Sequence, residues 1–320
     1  MPSDERFVTL LDSNFLPQGL ALAESLGEHC PEGELWILCM DEEVERSLTI
    51  LNMPNVRRIP LREVEDARLL TAKADRSARE YCWTLTAFTF DTVFKRCPGA
   101  KRVTFVDADL YFFGSPRPLL AELEQSEASI LVTEHNFDPE YDKSEIVGRF
   151  CVQFLTMDTS EKAKEVRSLW QKQVLEWCYD RREPERFGDQ KYLDSWPALY
   201  GKRIHVLEDH RLALAPWNVR MEATRAGGLV KPAFYHFHSF RITAPNRARS
   251  VEGGYKIPRA GRILYRAYAA AVGRAMFRIE AACLPVHTVP LPKKPLAALR
   301  RLATLALGRA DVYVRIRRSA

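Results

Sequence analysis

The segment 102–113 constrains the fold of this chain more than any other. Its sequence is RVTFVDADLYFF, in which β-branched and aromatic residues lead to two aspartates, Asp107 and Asp109, separated by Ala108. The apolar run predicts a buried strand, and open α/β sheets bind ligands at the carboxyl ends of their strands. Two carboxylates this close repel each other unless a cation binds both, and Mg²⁺ or Mn²⁺ would satisfy them. The alternative is a strand-end turn with two solvated aspartates.

Strand-like and helix-like patterns alternate through the first two hundred residues. An α/β class follows, with a mostly parallel central sheet flanked by helices. Beyond residue 180 the pattern breaks into loops, where binding residues are often found. The predicted strands are 7–11, 34–40, 55–59, 102–107, 129–133 and 150–157. The predicted helices are 16–26, 42–51, 74–94 and 160–179.

Composition limits the class of protein further. The chain has 320 residues, 46% of them hydrophobic, which suffices for a full core. No window approaches ~18 consecutive apolar residues, and the first residues lack the pattern of a secretory signal. Seven cysteines are scattered without a C-x-x-C pair, which indicates reduced thiols in a cytoplasmic protein. The absence of glycine-rich phosphate loops and of G-x-S-x-G argues against P-loop ATPases, Rossmann dehydrogenases and α/β-hydrolases.

Charge is divided unevenly along the chain. Residues 256–320 carry fourteen Lys/Arg against two acids, whereas residues 1–255 carry 33 basic and 40 acidic residues. We therefore predict a globular domain over 1–255 and a basic tail over 256–320, with amphipathic helices at 262–284 and 296–307. The tail could bind an anionic membrane surface, placing the protein peripherally on the inner face of the membrane. It could instead pack on the body. With few stacking aromatics, it is not expected to bind nucleic acid.

Two histidines follow an aromatic run in the segment 234–240, FYHFHSF. If this segment is a strand, alternation places His236 and His238 on one face and the aromatic rings on the other. The pair could be structural or could ligate a metal. An imidazole beside two carboxylates suits Mn²⁺ better than Mg²⁺, because nitrogen is the softer donor.

Other polar residues stand at positions that suit either a ligand or a local structural role. Asp12 follows the first predicted strand and could contact a ribose or cap the next helix. Asp189 could likewise cap a helix, whereas the amide of Gln190 could orient a hydroxyl-rich substrate. Arg76 and Arg79, at the start of a predicted helix, could pair with phosphate or lie on the solvated surface.

Four segments together resemble a known family. The D-A-D at 107–109, the opening TLLDSNFL at 9–16, the G-D-Q at 188–190 and the H-F-H-S at 236–239 occur in the family's order. They resemble nucleotide-sugar-dependent glycosyltransferases of the GT-A fold, most closely the glycogenin and lipopolysaccharide galactosyltransferase type called family 8. The resemblance covers about residues 6–240.

This resemblance implies a Rossmann-like GT-A domain that moves a sugar from a nucleotide-diphosphate sugar donor to a glycan or lipid-linked acceptor, with retention of anomeric configuration. It implies Asp107, Asp109 and His236 as ligands of Mn²⁺ or Mg²⁺, and Asp189 and Gln190 as catalytic residues beside the reacting sugar. The residues expected to contact the donor are Thr9, Asp12, Arg76, Arg79, Asp107, Ala108, Asp109 and His238.

The sequence also departs from that family's pattern. Ser239 replaces the glycine of its H-F-x-G segment, no K-P-W follows, and Arg241 is the nearby cation. Cys151 or Gln153 stands where the family has an asparagine. Two other hypotheses remain: a sugar-nucleotide nucleotidyltransferase, which usually has a glycine-rich N-terminal loop that residues 9–16 lack, and a catalytically silent scaffold at a membrane.

Overall fold

The computed structural model describes residues 5–228, 230–251, 254–289 and 312–317. Within these ranges the strands are β1 (Glu5–Leu11), β2 (Glu34–Cys39), β3 (Val56–Pro60), β4 (Arg102–Val106), β5 (Leu110–Phe112), β6 (Ile130–Glu134), β7 (Phe150–Asp158), β8 (Ile204–Val206), β9 (Ala213–Leu214), β10 (Phe234–His236), β11 (Arg241–Ala244), β12 (Arg247–Val251) and β13 (Val312–Arg315). The helices are α1 (Leu16–His29), α2 (Glu42–Leu51), α3 (Ala67–Ala74), α4 (Ala78–Arg96), α5 (Arg117–Gln125), α6 (Ser144–Val147), α7 (Glu161–Glu176), α8 (Trp196–Tyr200), α9 (Val219–Arg225) and α10 (Arg259–Ala281).

A seven-stranded sheet forms the centre of the fold, in the order β3-β2-β1-β4-β7-β6-β8. The first four of these strands are parallel neighbours, and β6 is parallel to β8. β7 is antiparallel to both β4 and β6. Six strands therefore run in one direction and β7 in the other. The predicted α/β class, with a mostly parallel sheet flanked by helices, is confirmed.

Both faces of this sheet are buried, which explains why its strands read as continuous apolar runs. In β1, Phe7 and Leu11 contribute to one core cluster, whereas Val8 contributes to the cluster on the opposite face. Helices α1, α2 and α5 cover the first face, and α3, α4, α7 and α8 cover the second. Because six strands run in the same direction, their carboxyl ends lie along one edge of the sheet.

A second, smaller sheet closes over that edge, in the order β5-β10-β9. β10 runs antiparallel to β5, so that Phe234 pairs with Phe112 and His236 pairs with Leu110. The Phe237 N–H extends this pairing by donating to the Asp109 carbonyl oxygen at 2.9 Å. This strand pairing brings His236 beside the aspartates, although more than a hundred residues separate them in the sequence.

The predicted helix over 74–94 is wrong in its boundaries. The structure has two helices there, α3 and α4, and the second begins only after Ser77. Ser77 and Glu80 form a capping box. The Ser77 hydroxyl oxygen accepts from the Glu80 backbone N–H, and the Glu80 carboxylate accepts from the Ser77 backbone N–H. Arg76 therefore lies in the turn between the helices.

Helix α10 lies against the body of the protein. Its Tyr268 ring stacks on Phe237 with centroids 3.8 Å apart, and Arg274 Nε donates to Glu24 Oε1 of α1 at 3.0 Å. The predicted helix at 262–284 is thus present as α10, and the interpretation in which the tail packs on the body is the one observed for this segment. The predicted helix at 296–307 lies outside the described residues, and the division at residue 255 stays a prediction. In the described ranges no helix combines the length and apolarity needed to cross a membrane.

Candidate functional site

The two aspartates lie in a tight turn between β4 and β5. The Leu110 N–H donates to the Asp107 carbonyl oxygen at 3.1 Å, which closes the turn, and the Asp107 N–H donates to the Gln153 carbonyl oxygen of β7 at 3.1 Å. The Asp109 side chain is 12% exposed and that of Asp107 is 27% exposed. Ala108, between them, is almost fully buried.

His236 completes a cluster with these carboxylates. Its Nε2 lies 3.1 Å from Asp109 Oδ1 and 3.6 Å from Asp107 Oδ2. Its Nδ1 lies 2.9 Å from Oε1 of Gln153, a fully buried side chain. An amide oxygen only accepts hydrogen bonds, so in this arrangement Nδ1 is the donor to Gln153, and Nε2 is the nitrogen next to the carboxylates.

The charges of this cluster are mutually dependent. Burial disfavours protonation of His236, but the Asp109 charge and hydrogen bond outweigh it and raise the pKa of the imidazole well above its ordinary value. Burial likewise opposes ionisation of Asp109, but the positive His236 lowers the pKa of that carboxyl. At Asp107 burial prevails and raises the pKa. The pairing of the imidazole with the carboxylates therefore favours positive charge between the two aspartates.

The donor set has the chemistry to hold a divalent cation. It offers two carboxylates and an imidazole nitrogen, and Gln153 orients the imidazole through its other nitrogen. A hydrogen bond of this kind fixes the tautomer and ring orientation of ligating histidines. The residues predicted as metal ligands, Asp107, Asp109 and His236, are therefore brought together by the fold.

Asp189 is a buried carboxyl group near this cluster. It is 2% exposed, and its Oδ2 has no hydrogen-bond partner in the described part of the chain. Burial, and then the negative charge of Asp107, raise its pKa to about 8. The indole Nε1 of Trp170, itself fully buried, donates to the Asp189 carbonyl oxygen at 2.8 Å and holds the backbone in place.

The loop that carries Asp189 depends on Gly188. This glycine has a φ of +53°, and a Cβ there would lie 3.2 Å from the Trp83 ring. The N-cap interpretation of Asp189 is wrong, because the 3-10 helix that follows spans Lys191–Ser195 and has Gln190 at its cap position. Gln190 Nε2 donates to the Val147 carbonyl oxygen at 2.7 Å, which ties the loop to the end of α6.

Four other residues were predicted to contact the nucleotide-sugar donor, and each of them either has a partner within the protein or is buried. Asp12 caps the 3-10 helix Ser13–Phe15, as one of its two interpretations predicted. Arg76 Nη2 donates to the Leu175 carbonyl oxygen at 2.7 Å, and Arg79 pairs with Asp180 at 2.8 Å on the surface. Thr9 is fully buried in β1. That these four residues contact a nucleotide-sugar donor stays a prediction.

β10 ends at His236, so His238 lies just beyond the strand, and Ser239 turns the chain with a φ of +66°. The two imidazoles nevertheless lie on the same side, as predicted, because both rings contact Trp217. The His238 side chain is exposed, but its ring centroid still lies 5.7 Å from that of His236. Both imidazole rings pack against the Trp217 ring in T-shaped arrangements, with centroid distances of 5.3 Å for His236 and 5.6 Å for His238.

The sequence did not reveal the residues that line the site next to His236 and His238. Trp217 donates through Nε1 to the His135 carbonyl oxygen at 2.7 Å, and the His135 ring stacks on Phe137. No local pattern marks these residues, because they meet only in the folded chain. Arg241 is the cation expected near the site from the sequence, and its charge helps to lower the pKa of Asp109.

The fold and this cluster define an α/β protein with a carboxylate and imidazole site at the carboxyl edge of its sheet. The chain belongs to the family of the uncharacterized protein YfnD of Bacillus subtilis (strain 168), with which it shares 31% identity over 249 residues, 74% of this chain and 78% of YfnD. It is 28% identical to the uncharacterized protein YfnF of the same strain over 259 residues, 77% of this chain and 84% of YfnF. No family model matches the chain.

Several solved structures are similar to it in part. The galactosyltransferase LgtC in complex with donor and acceptor sugar analogues aligns with 90% of this chain and 98% of its own, at 15% identity and a TM-score of 0.49. The glycosyltransferase GlyE of Streptococcus pneumoniae TIGR4 aligns with 91% of this chain and 66% of its own, at 14% identity and a TM-score of 0.49. The bifunctional WbbM aligns with 74% of this chain and 46% of its own, at 14% identity and a TM-score of 0.49.

Proposed function

We propose that the chain is a metal-dependent glycosyltransferase that takes a sugar from a nucleotide-diphosphate donor. The observation that carries this proposal is the convergence of Asp107, Asp109 and His236 at the carboxyl edge of β4, with the His236 Nε2 3.1 Å and 3.6 Å from the two carboxylates. A site of this composition suits a cation that also binds phosphate oxygens. The order of the sequence segments that resemble family 8 agrees with the same activity.

In this proposal Asp107, Asp109 and His236 would hold Mn²⁺ or Mg²⁺, which would supply positive charge for the nucleoside diphosphate leaving group. Gln153 holds His236 with Nε2 towards the carboxylates. Arg241 places a further positive charge beside the diphosphate position, since it already acts on Asp109. These groups are fixed before substrate binds, so little reorganisation is needed during the reaction.

Asp189 and Gln190 are assigned to the reacting sugar. Burial and the charge of Asp107 raise the pKa of this carboxyl to about 8 in the metal-free protein, and the side chain is placed to form a hydrogen bond with a sugar hydroxyl. Its unpartnered Oδ2 is then satisfied by the substrate. Gln190 holds the loop through Val147, so it acts as a positioning residue in addition to any contact with the sugar.

The acceptor in this proposal is a glycan or a lipid-linked sugar, and the anomeric configuration is retained.

In the same proposal the protein acts at an anionic membrane surface on the cytoplasmic side, and the outer face of α10 is the surface that would contact the membrane. Arg262, Arg266 and Arg278 are exposed there beside Ile263, which is 52% exposed, and Phe277, which is 40% exposed. A mixed cationic and apolar helix face is typical of segments that lie in a membrane interface.

The decisive assay incubates the full chain with Mn²⁺ and a panel of nucleotide-diphosphate sugars and follows nucleoside diphosphate release, with and without candidate acceptors. We expect release with one class of donor and loss of release when EDTA removes the metal. Formation of pyrophosphate would instead identify a nucleotidyltransferase. Absence of both turnover and donor binding would favour a silent scaffold and contradict the proposal.

A further inference from the structure

A thiol adjoins the candidate metal site. The Sγ of Cys151, one carboxylate oxygen of Asp107 and one ring nitrogen of His236 all lie within 4.8 Å of one another. Cys151 is free and 4% exposed. Asp107 and His236 therefore belong to two overlapping groups of donors, one completed by the carboxylate of Asp109 and the other by the thiol of Cys151.

The position of Cys151 follows from the register of β7. Residues two apart in a strand share a face, so Cys151 and Gln153 point to the same side of the sheet. Gln153 uses this side to hold His236 at 2.9 Å. The antiparallel pairing of Val106 with Phe154 places the turn after β4 opposite this end of β7. Cys151 is thus directed at the site by the same pairing that positions the other donors.

We propose that Cys151 is a thiolate ligand that allows this site to bind a thiophilic divalent cation, Zn²⁺ or Co²⁺, in competition with Mn²⁺ and Mg²⁺. The inference rests on the proposed function for the existence of the metal site and adds the identity of a further ligand. Soft thiolates select zinc-like ions, whereas carboxylates alone suit Mg²⁺ and Mn²⁺. Binding forms a metal–sulfur bond, and the thiol proton passes to solvent.

The separation of the donors is compatible with one ion after small movements. Typical zinc bonds of about 2.3 Å to sulfur and about 2.0 to 2.2 Å to nitrogen or oxygen place tetrahedral ligands about 3.3 to 3.6 Å apart. The three donor atoms lie within 4.8 Å, so closure requires shifts on the order of 1 Å, within the reach of side-chain rotations. Cys151, Asp107 and His236 would leave the fourth position of a tetrahedral ion open.

The test uses Co²⁺ as a spectroscopic probe on the metal-free full chain. A thiolate bound to Co²⁺ gives a sulfur-to-cobalt charge-transfer band in the near ultraviolet, separate from the visible bands of any bound Co²⁺. We expect the wild-type protein to develop this band up to a stoichiometric amount of metal. Cys151→Ser should lose the band and still bind Co²⁺. Cys30→Ser, which changes an equally buried thiol elsewhere in the fold, should keep it.

A competition titration adds a readout of preference. Cys151→Ser should weaken Zn²⁺ binding by about tenfold or more while Mn²⁺ affinity changes by less than about threefold. Thermal unfolding of each variant verifies that it is folded.

The outcomes separate this inference from the proposed function. Cobalt binding without a sulfur band in the wild type, or a band that persists in Cys151→Ser, would overturn the thiolate ligand and leave the carboxylate and imidazole site standing. Failure of the wild type to bind Co²⁺, Mn²⁺ or Zn²⁺ would contradict the metal site itself and the proposed function with it.

Discussion

Replacing Asp109 with asparagine tests the central electrostatic argument. Asp109 lies 3.1 Å from the His236 Nε2, and its side chain is only 12% exposed. Asparagine keeps the size of the side chain and removes the charge. In the metal-free protein its amide can donate to a neutral His236 Nε2, so an ionic hydrogen bond is exchanged for a neutral one. We expect this to lower the free energy of unfolding by about 1 to 2 kcal/mol.

The effect on metal binding should be much larger. Two unit charges about 4 Å apart at an effective dielectric constant of about 20 interact by about 4 kcal/mol. Losing one carboxylate charge beside a divalent cation therefore costs at least about 4 kcal/mol before the asparagine oxygen compensates. This corresponds to roughly a thousandfold loss of Mn²⁺ affinity, and nucleoside diphosphate release should fall with it.

Mn²⁺ binding can be measured by electron paramagnetic resonance of the free ion or by calorimetry, in parallel with the release assay. Asp209→Asn is a suitable control, because Asp209 pairs with Arg211 at the surface and such pairs contribute about 0 to 1 kcal/mol. If Asp109→Asn bound Mn²⁺ within about threefold of the wild type and released nucleoside diphosphate normally, the metal assignment would be refuted.

Two further predictions concern the support of His236 and the surface of α10. Gln153→Met removes the oxygen that accepts from His236 at nearly constant volume, and should weaken Mn²⁺ binding by about 10- to 100-fold; Gln153→Glu keeps an acceptor and should restore most of it, whereas equal losses in both variants would contradict the orienting role. The double variant Arg262→Ser, Arg266→Ser removes two exposed cations and should weaken binding to anionic liposomes by about 2 kcal/mol, roughly 30-fold. Unchanged sedimentation with those liposomes would exclude this face as the membrane contact.

The central sheet was predictable because its signal is local. Each strand of the parallel part is buried on both faces, which requires a continuous apolar run such as Val103–Val106, and such a run is visible in the sequence. Short elements gave no such signal. Strands of two or three residues, such as β9 and β10, contain too few positions for a periodic pattern and are fixed by their neighbours.

The polar residues show the same difference between interactions that are local in the sequence and those that are not. The cap formed by Asp12 could be anticipated, because its hydrogen bonds reach only two or three residues along the chain. The capping box of Ser77 and Glu80 is equally local, but the apolar pattern across it concealed the break between α3 and α4. The position of Asp189 depends on the backbone turn at Gly188, and the strand that carries His236 is followed by a turn at Ser239; periodicity reveals neither turn.

The sequence by itself determined the α/β class, the strand that ends in the Asp107 and Asp109 pair, and the requirement of that pair for a positive partner. Those properties follow from apolar periodicity and from the repulsion of adjacent carboxylates. Only the tertiary structure decided which groups supply the remaining donors. The pairing of β5 with β10 brings His236 to the carboxylates, and the antiparallel β7 brings Gln153 and Cys151 to His236. Contacts between strands distant in sequence arise from the burial of whole faces, which no local pattern encodes.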